Sequence, residues 1–271
     1  MIGLYKIIIS KNPLNFIPDE TFLGLERSLW ELDLSYDQLT RVPNRALRYL
    51  RKLILLDLSG KHHINLTPHL TLILGNSIVK ITPDNWRGLE HSLINLILTD
   101  NSITHLPSDA FSGLQKVETI NLKGNNLKEI DPSVFRDGMD KLANLILADN
   151  QLTAIPYQAL SFLKTLKTLD LSYNKINKMQ PTTDVGVQNV NYNFQFNLDL
   201  LKLDYNQITV LRTASFQYFN VLNKTYLDGN PLSIVEVNKC LNLKLVKLII
   251  VYRKMRSDQR KSKSCICDIV L

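Results

Sequence analysis

The stretch LINLILTDNSITHLPSDAF, residues 93–111, decides the architecture of this chain. Leu96 and Leu98 stand two apart, which is the period of a strand, so both point to one side and Ile97 to the other. Asn101 follows three residues later, where the chain must leave the strand. Its amide both donates and accepts, so it can satisfy the backbone groups of a sharp turn that would otherwise be buried unpaired. Pro107 fixes an extended segment and lacks the N–H that would extend a sheet. Phe111 then returns a bulky apolar group ten residues after the asparagine.

The same frame recurs in both directions. It is found at Val117-Ile120-Leu122-Asn125, Leu142-Leu145-Leu147-Asn150 and Leu166-Leu169-Leu171-Asn174. It also fits Leu4 to Ile17, Leu29 to Val42, Leu198 to Leu211 and, more loosely, Leu222 to Val235. The anchor places hold Asn12, Asp37, Lys61, Asn76, Asn101, Asn125, Asn150, Asn174, Asn206 and Asn230. Their spacings are 25, 24, 15, 25, 24, 25, 24, 32 and 24, so seven of nine steps are 24 or 25. A second marker tests this register: ten residues after the anchor stand Phe22, Leu47, Trp86, Phe111, Phe135, Leu160 and Phe216, all bulky and apolar. The exceptions, Thr71 and Asp184, fall in the two irregular steps.

One such unit has a single apolar edge and cannot stand alone, whereas stacked units share a continuous core. The pattern therefore predicts an α/β solenoid: a right-handed horseshoe with a parallel sheet on its concave face and mostly loops and short helical turns on the convex side. Residues 1–254 are expected to form one repeat domain of about ten to eleven units, irregular at 60–75 and 180–197, and 255–271 a disordered basic tail. Lys61 cannot accept a hydrogen bond, and residues 60–75 read as a damaged or truncated repeat. The 32-residue step carries an Asn-rich stretch, Gln188 to Asn197, expected as a loop. Val246, Ile249 and Val251 match one more degenerate strand, with Lys254 in the anchor place.

Composition narrows the function. With 45% hydrophobic residues the chain is not disordered. The net charge is +7, but the run from Arg253 to Lys263 alone carries +5 and leaves a nearly neutral body, which argues against nucleic acid. Cys240, Cys265 and Cys267 are too few and too clustered for a disulfide framework, and Cys240 reads as a buried small side chain in the convex spine. Cys265-Ile-Cys267 follows a basic run as lipidated tails do, but a prenylation box would need its cysteine where Asp268 stands. Met1 to Pro18 has no apolar signal core, and Leu245 to Tyr252 falls short of the ~20 residues that cross a bilayer. Membrane attachment is expected only through an anchor absent from this chain, with a cell-surface or extracellular location as part of a longer protein.

No nucleophile–base–orienter set and no Gly-rich phosphate loop is present, so catalysis is not expected. His62, His63 and His69 show no metal-ligand spacing, and neither a metal nor another cofactor is expected. The outward strand positions form the surface a solenoid uses for binding. Tyr36, Ile97, Ile146, Tyr173, Lys202, Tyr205 and Tyr226 are the candidate protein contacts there, with Tyr173, Tyr205 and Tyr226 expected to cluster on adjacent coils. Ordinary surface tyrosine is the competing reading. Asn65-Leu-Thr67 and Asn223-Lys-Thr225 are glycan acceptors if the chain is secreted, although Thr225 falls at an inward strand position.

The full unit, L-x-x-L-x-L-x-x-N-x-L-x-x-(I/L)-P-x-x-x-F-x-x-L, resembles the typical class of leucine-rich repeats of animal extracellular receptors and adhesion proteins, over roughly residues 4–254. SLWELDLSYDQLTRVPNRAL (28–47), PDNWRGLEHSL (83–93) and NLKEIDPSVFRDGM (126–139) are similar to the chaoptin-like photoreceptor adhesion proteins. That resemblance implies a cell-surface glycoprotein whose repeats bind another protein, a second copy of itself included. Two other readings stay open: a fragment of a Toll-like innate immune receptor ectodomain, and an intracellular leucine-rich-repeat scaffold.

Overall fold

The computed structural model describes residues 3–60, 62–67, 70–180, 194–236, 248–251 and 267–269. Short strands recur once per coil: β1 (Lys6–Ile8), β2 (Glu31–Asp33) and β3 (Leu55–Asp57). A hairpin follows, β4 (His62–Thr67) and β5 (Leu70–Leu74). Then come β6 (Asn95–Ile97), β7 (Thr119–Asn121), β8 (Asn144–Ile146) and β9 (Thr168–Asp170). The last part carries β10 (Phe196–Lys202), β11 (Val210–Arg212), β12 (Phe219–Tyr226), β13 (Ile234–Glu236), β14 (Leu248–Val251) and β15 (Cys267–Ile269).

One eleven-stranded sheet runs β1-β2-β3-β6-β7-β8-β9-β10-β12-β14-β15. Its pairs are parallel as far as β14, and β15 closes it antiparallel. This is the solenoid expected from the repeat. The register aligns the central leucine of each strand, so Leu32, Leu56, Leu96, Ile120, Leu145, Leu169 and Leu201 form one fully buried column. On the convex side sit the four-residue helical turns α1 (Asn44–Leu47) and α2 (Tyr157–Leu160), and 3-10 turns at Pro83–Trp86 and Thr213–Phe216. None is long enough to persist alone. Packing holds α1 and α2, through Ala46 and Leu47 in one and Tyr157, Ala159 and Leu160 in the other.

The anchor asparagines work as a ladder. Nδ2 of Asn101 donates to the Leu58 carbonyl of the preceding coil at 2.9 Å and to Leu98 and Thr99 of its own coil at 3.2 Å each. Its Oδ1 accepts the Ile78 N–H at 2.9 Å. Asn125, Asn150, Asn174, Asn206 and Asn230 repeat the arrangement coil by coil. The spine residues ten positions on are buried as well, and Trp86, Phe111 and Phe135 stack at 6.3 and 6.0 Å.

Three details differ from the pattern. The segment between Gly60 and Asn76 is an inserted antiparallel hairpin, not a shortened coil, because β3 pairs directly with β6. Asn76 is the anchor of the coil that begins at β3, and it donates to Leu34, Leu58 and Ser59 carbonyls at 2.7, 3.2 and 3.1 Å. Residue 61 lies outside the described residues. Next, the end of the stretch expected as a loop is ordered: β10 starts at Phe196, and Phe194 and Phe196 pack with Tyr157, Tyr218 and Phe219 where the regular spine residue is missing. Residues 181–193 lie outside the described residues. Last, β14 is set one residue later than expected, with Ile250 and not Ile249 opposite the inward Thr225. A one-residue slip exchanges the two faces of a strand, and pairing with β12 decides it.

Candidate functional site

The concave sheet places outward side chains in columns, because parallel register stacks equivalent positions about 4.8 Å apart. One column holds Asp33, Asp57, Ile97, Asn121, Ile146, Asp170, Lys202 and Tyr226. Ile97 and Ile146 lie in it as expected, partly exposed and separated by Asn121. Its carboxylates mostly turn back onto their own chain. Asp57 and Asp170 each accept the N–H and the hydroxyl of the serine two residues on, and Asp33 accepts the Ser35 N–H at 2.9 Å. Burial still pushes the Asp57 carboxyl up, against the hydrogen bonds from Ser59. Lys202 is tied to Asp170 at 3.2 Å, and Lys224 lies 4.6 Å over the Tyr226 ring.

The column just before the anchors has an unusual backbone. Lys11, Tyr36, Asp100, Asp149, Tyr173 and Tyr205 all take φ between 53° and 65°, and Gly124 and Gly229 take 70°. The left-handed region costs an L-residue about 1–2 kcal/mol. Gly or Asp fits it readily, whereas a bulky tyrosine there is a genuine outlier. Three coils nevertheless carry tyrosine.

Two of these tyrosines meet. Tyr173 and Tyr205 stack with ring centroids 4.5 Å apart and planes 13° from parallel, and they stay 52% and 50% exposed. The far face of Tyr205 lies on Gly229, where an added Cβ would come within 2.4 Å of the ring. Desolvation raises the Tyr173 phenol above its ordinary range, followed by the charges of Tyr205, Asp204 and Asp149. Burial likewise pushes up the Asp204 carboxyl, which accepts the Asp228 N–H at 2.9 Å. Acidic groups thus border the ring pair.

Of the expected tyrosine trio, the structure stacks Tyr173 with Tyr205 and leaves Tyr226 in another column, held by Lys224. Tyr36 lies five coils before Tyr173, half-buried, and burial raises its phenol. Sequence reasoning missed the left-handed column, although its alternation of Gly124 and Gly229 with Asp100 and Asp149 is the signature of positive φ. It also missed Tyr5 and Trp30, an exposed edge-to-face pair 5.5 Å apart beside β1 and β2.

At the second sequon Asn223 is exposed and donates to Asp199 at 2.9 Å, while Thr225 is fully buried. The side chain of Asn65 lies outside the described residues, as do those of His62, His63, Cys267 and the whole of His69, Cys240 and Cys265. Among the described residues no group of three His, Cys, Asp or Glu side chains could hold a metal ion. No helix there is long and apolar enough to cross a membrane.

The leucine-rich-repeat family model matches residues 2–62, 91–138 and 140–192, well over half of the chain. The chain belongs to the leucine-rich-repeat family. As such it is similar to chaoptin of Drosophila melanogaster, with 54% identity over 56 residues, covering 21% of this chain and 4% of that protein. It is also similar to the human leucine-rich repeat transmembrane protein FLRT2, with 32% identity over 130 residues, covering 44% of this chain and 19% of the relative. The chain therefore spans only a small part of these curated relatives. Among solved structures, a leucine-rich-repeat protein of Leptospira interrogans matches with TM-score 0.58 and 24% identity, covering 90% of this chain and 62% of that one. A chain of the Drosophila Toll–Spatzle complex matches with TM-score 0.63 and 20% identity, covering 84% of this chain and 31% of that one. These two likenesses show the shared leucine-rich-repeat fold.

Proposed function

We propose that this chain is a protein-recognition module acting in chaoptin-like cell adhesion, and that it binds through the concave sheet and not by catalysing a reaction. The exposed Tyr173–Tyr205 stack carries the reading. Two large aromatic rings are held on a rigid sheet in a backbone conformation that glycine would fill at less cost. Other coils hold this position with glycine or a short carboxylate, as at Gly124, Gly229, Asp100 and Asp149, where the strain is less than for tyrosine. Rigid aromatic anchors are favoured contact residues at protein interfaces. The resemblance to chaoptin supports an extracellular setting, with a second copy of the chain as the simplest partner.

The test is aggregation of cells displaying the chain on their surface. Wild-type cells are expected to cluster with one another, and the double variant Tyr173→Asn/Tyr205→Asn to lose clustering. Asparagine tolerates the left-handed region, so the coil keeps its backbone. Clustering that survives both substitutions would overturn the concave-face reading. If wild-type cells adhere only to a different cell type, and the variant abolishes that, the face is right and the partner is another protein.

A further inference from the structure

A second surface lies at the corner where each coil turns from its convex side into the next strand. Three or four residues before the strand positions that pair across the sheet stand Arg27, Lys52, His91, Lys116, Lys141 and Lys164, on six successive coils. All six are exposed. Parallel strands stack about 4.8 Å apart, so the row extends about 24 Å along one edge of the solenoid. Arg48 and Arg87 run alongside it and, with Arg51, line a cleft of about 520 Å³ between two coils.

The carboxylates nearby cancel only part of the row. Glu26 and Glu90 accept the N–H groups of Gly24 and Gly88 at 2.9 and 2.7 Å, and Glu26 feels the charge of Arg27. Arg87 pairs with Asp84 at 2.9 Å, and Asp140 is an exposed carboxylate within the corner itself. Arg48 bonds the Tyr49 hydroxyl and covers its ring at 4.7 Å, which leaves its charge unneutralised. Among the described residues Arg51, Lys52, Lys116, Lys141 and Lys164 make no ion pair. The nearly neutral body thus hides two separated faces, with carboxylates on the concave sheet and a straight cationic row at the corner.

We infer that this row is a binding site for a linear sulfated polysaccharide. Cations on five of these six coils, with the neutral His91 on the other, match a polymer that carries repeated anionic groups, and their combined attraction exceeds that of any single exposed pair. Single-stranded nucleic acid fits less well, because such sites add aromatic platforms for base stacking, and of the two rings in this cleft, Tyr49 and His91, the larger is covered by Arg48. The site is distinct from the concave face and does not depend on the adhesion reading.

The experiment measures binding of the full chain to immobilised heparin, with desulfated heparin, a single-stranded oligonucleotide and phosphatidylserine vesicles as comparison probes. Heparin should bind in a strongly salt-dependent way, and desulfation should abolish binding. The triple variant Lys52→Glu/Lys116→Glu/Lys141→Glu should bind heparin at least about tenfold more weakly and flatten the plot of log affinity against log salt by about three. A control with the same change of charge elsewhere, Lys128→Glu/Lys175→Glu/Lys178→Glu, should stay within about twofold of wild type. Each single Lys→Glu change at these exposed corners should show part of the loss, so a poorly folded triple does not mask the result. Equal losses in the two triples would overturn the proposal in favour of unspecific attraction to a basic chain. Tighter binding of the oligonucleotide or the vesicles through the same three lysines would overturn the assignment to a sulfated glycan.

Discussion

Asp37 is the one anchor among the described coils that cannot do what its sister asparagines do. At the equivalent place each asparagine donates from Nδ2 to the carbonyls that close its coil, as Asn101 does to Leu58 and Leu98. A carboxylate has no such donor. Asp37 is fully buried, accepts the Asn12 N–H at 2.7 Å through Oδ1, and leaves Oδ2 without a partner. Burial pushes its pKa from 3.8 to about 6, against the hydrogen bond from Asn12. The folded state therefore holds this proton more tightly than the unfolded state. Asp37 favours folding most below about pH 4, and that contribution fades as pH rises through about 6, by at most about 3 kcal/mol. Asp37→Asn supplies the missing donor and removes the titration. Urea midpoints should show the variant more stable than wild type at pH 7, with the gap closing toward pH 4; a gap unchanged by pH would refute this account.

At the scale of elements, the hairpin β4–β5 shows how an insertion can hide inside a repeat. Asp37 and Asn76 are 39 residues apart, and removing residues 61–75 restores a step of 24. The joined sequence Leu56-Asp57-Leu58-Ser59-Gly60-Asn76 is then an uninterrupted repeat. All the sheet pairing of that coil lies outside the hairpin, in β3 with β2 and β6. The deletion is expected to fold with a melting temperature no lower than that of the full chain, and circular dichroism on heating would reveal any loss of this sheet. The anchor count alone could not expose the insertion, because Lys61 stands where an anchor is due and 61–75 is rich in apolar residues that imitate the motif. The lengthened strands β10 and β12 are a second element-level surprise. Their aromatic residues Phe196 and Phe219 supply, from the strands, the core volume that a regular convex spine supplies elsewhere.

At the scale of the whole molecule, each coil contacts chiefly its neighbours, so stability is close to a sum of coils and interfaces. Asn125 stands mid-solenoid and bridges two coils through Leu98, Leu122 and Ile103. Asn125→Ala leaves those buried groups unpaired and should cost about 2–4 kcal/mol. The damage is local, so hydrogen exchange should speed up most in β6 and β7 while β9 and β10 stay protected. A uniform loss of protection would mean that the solenoid unfolds as one unit.

By itself the sequence determined the period, the inward leucines, the anchor asparagines and the convex spine. Each is a requirement that every coil must meet within its own two dozen residues, so repetition writes it plainly. Only the tertiary structure decided which outward side chains meet. Tyr173 and Tyr205 lie 32 residues apart and stack because parallel pairing of β9 with β10 aligns their coils. The same pairing lines up Lys52, Lys116 and Lys141 on separate coils of a body whose summed charge is almost nil. The physical reason is common to both: the period fixes how a chain closes one coil, whereas a surface is made between coils and depends on the register in which they stack.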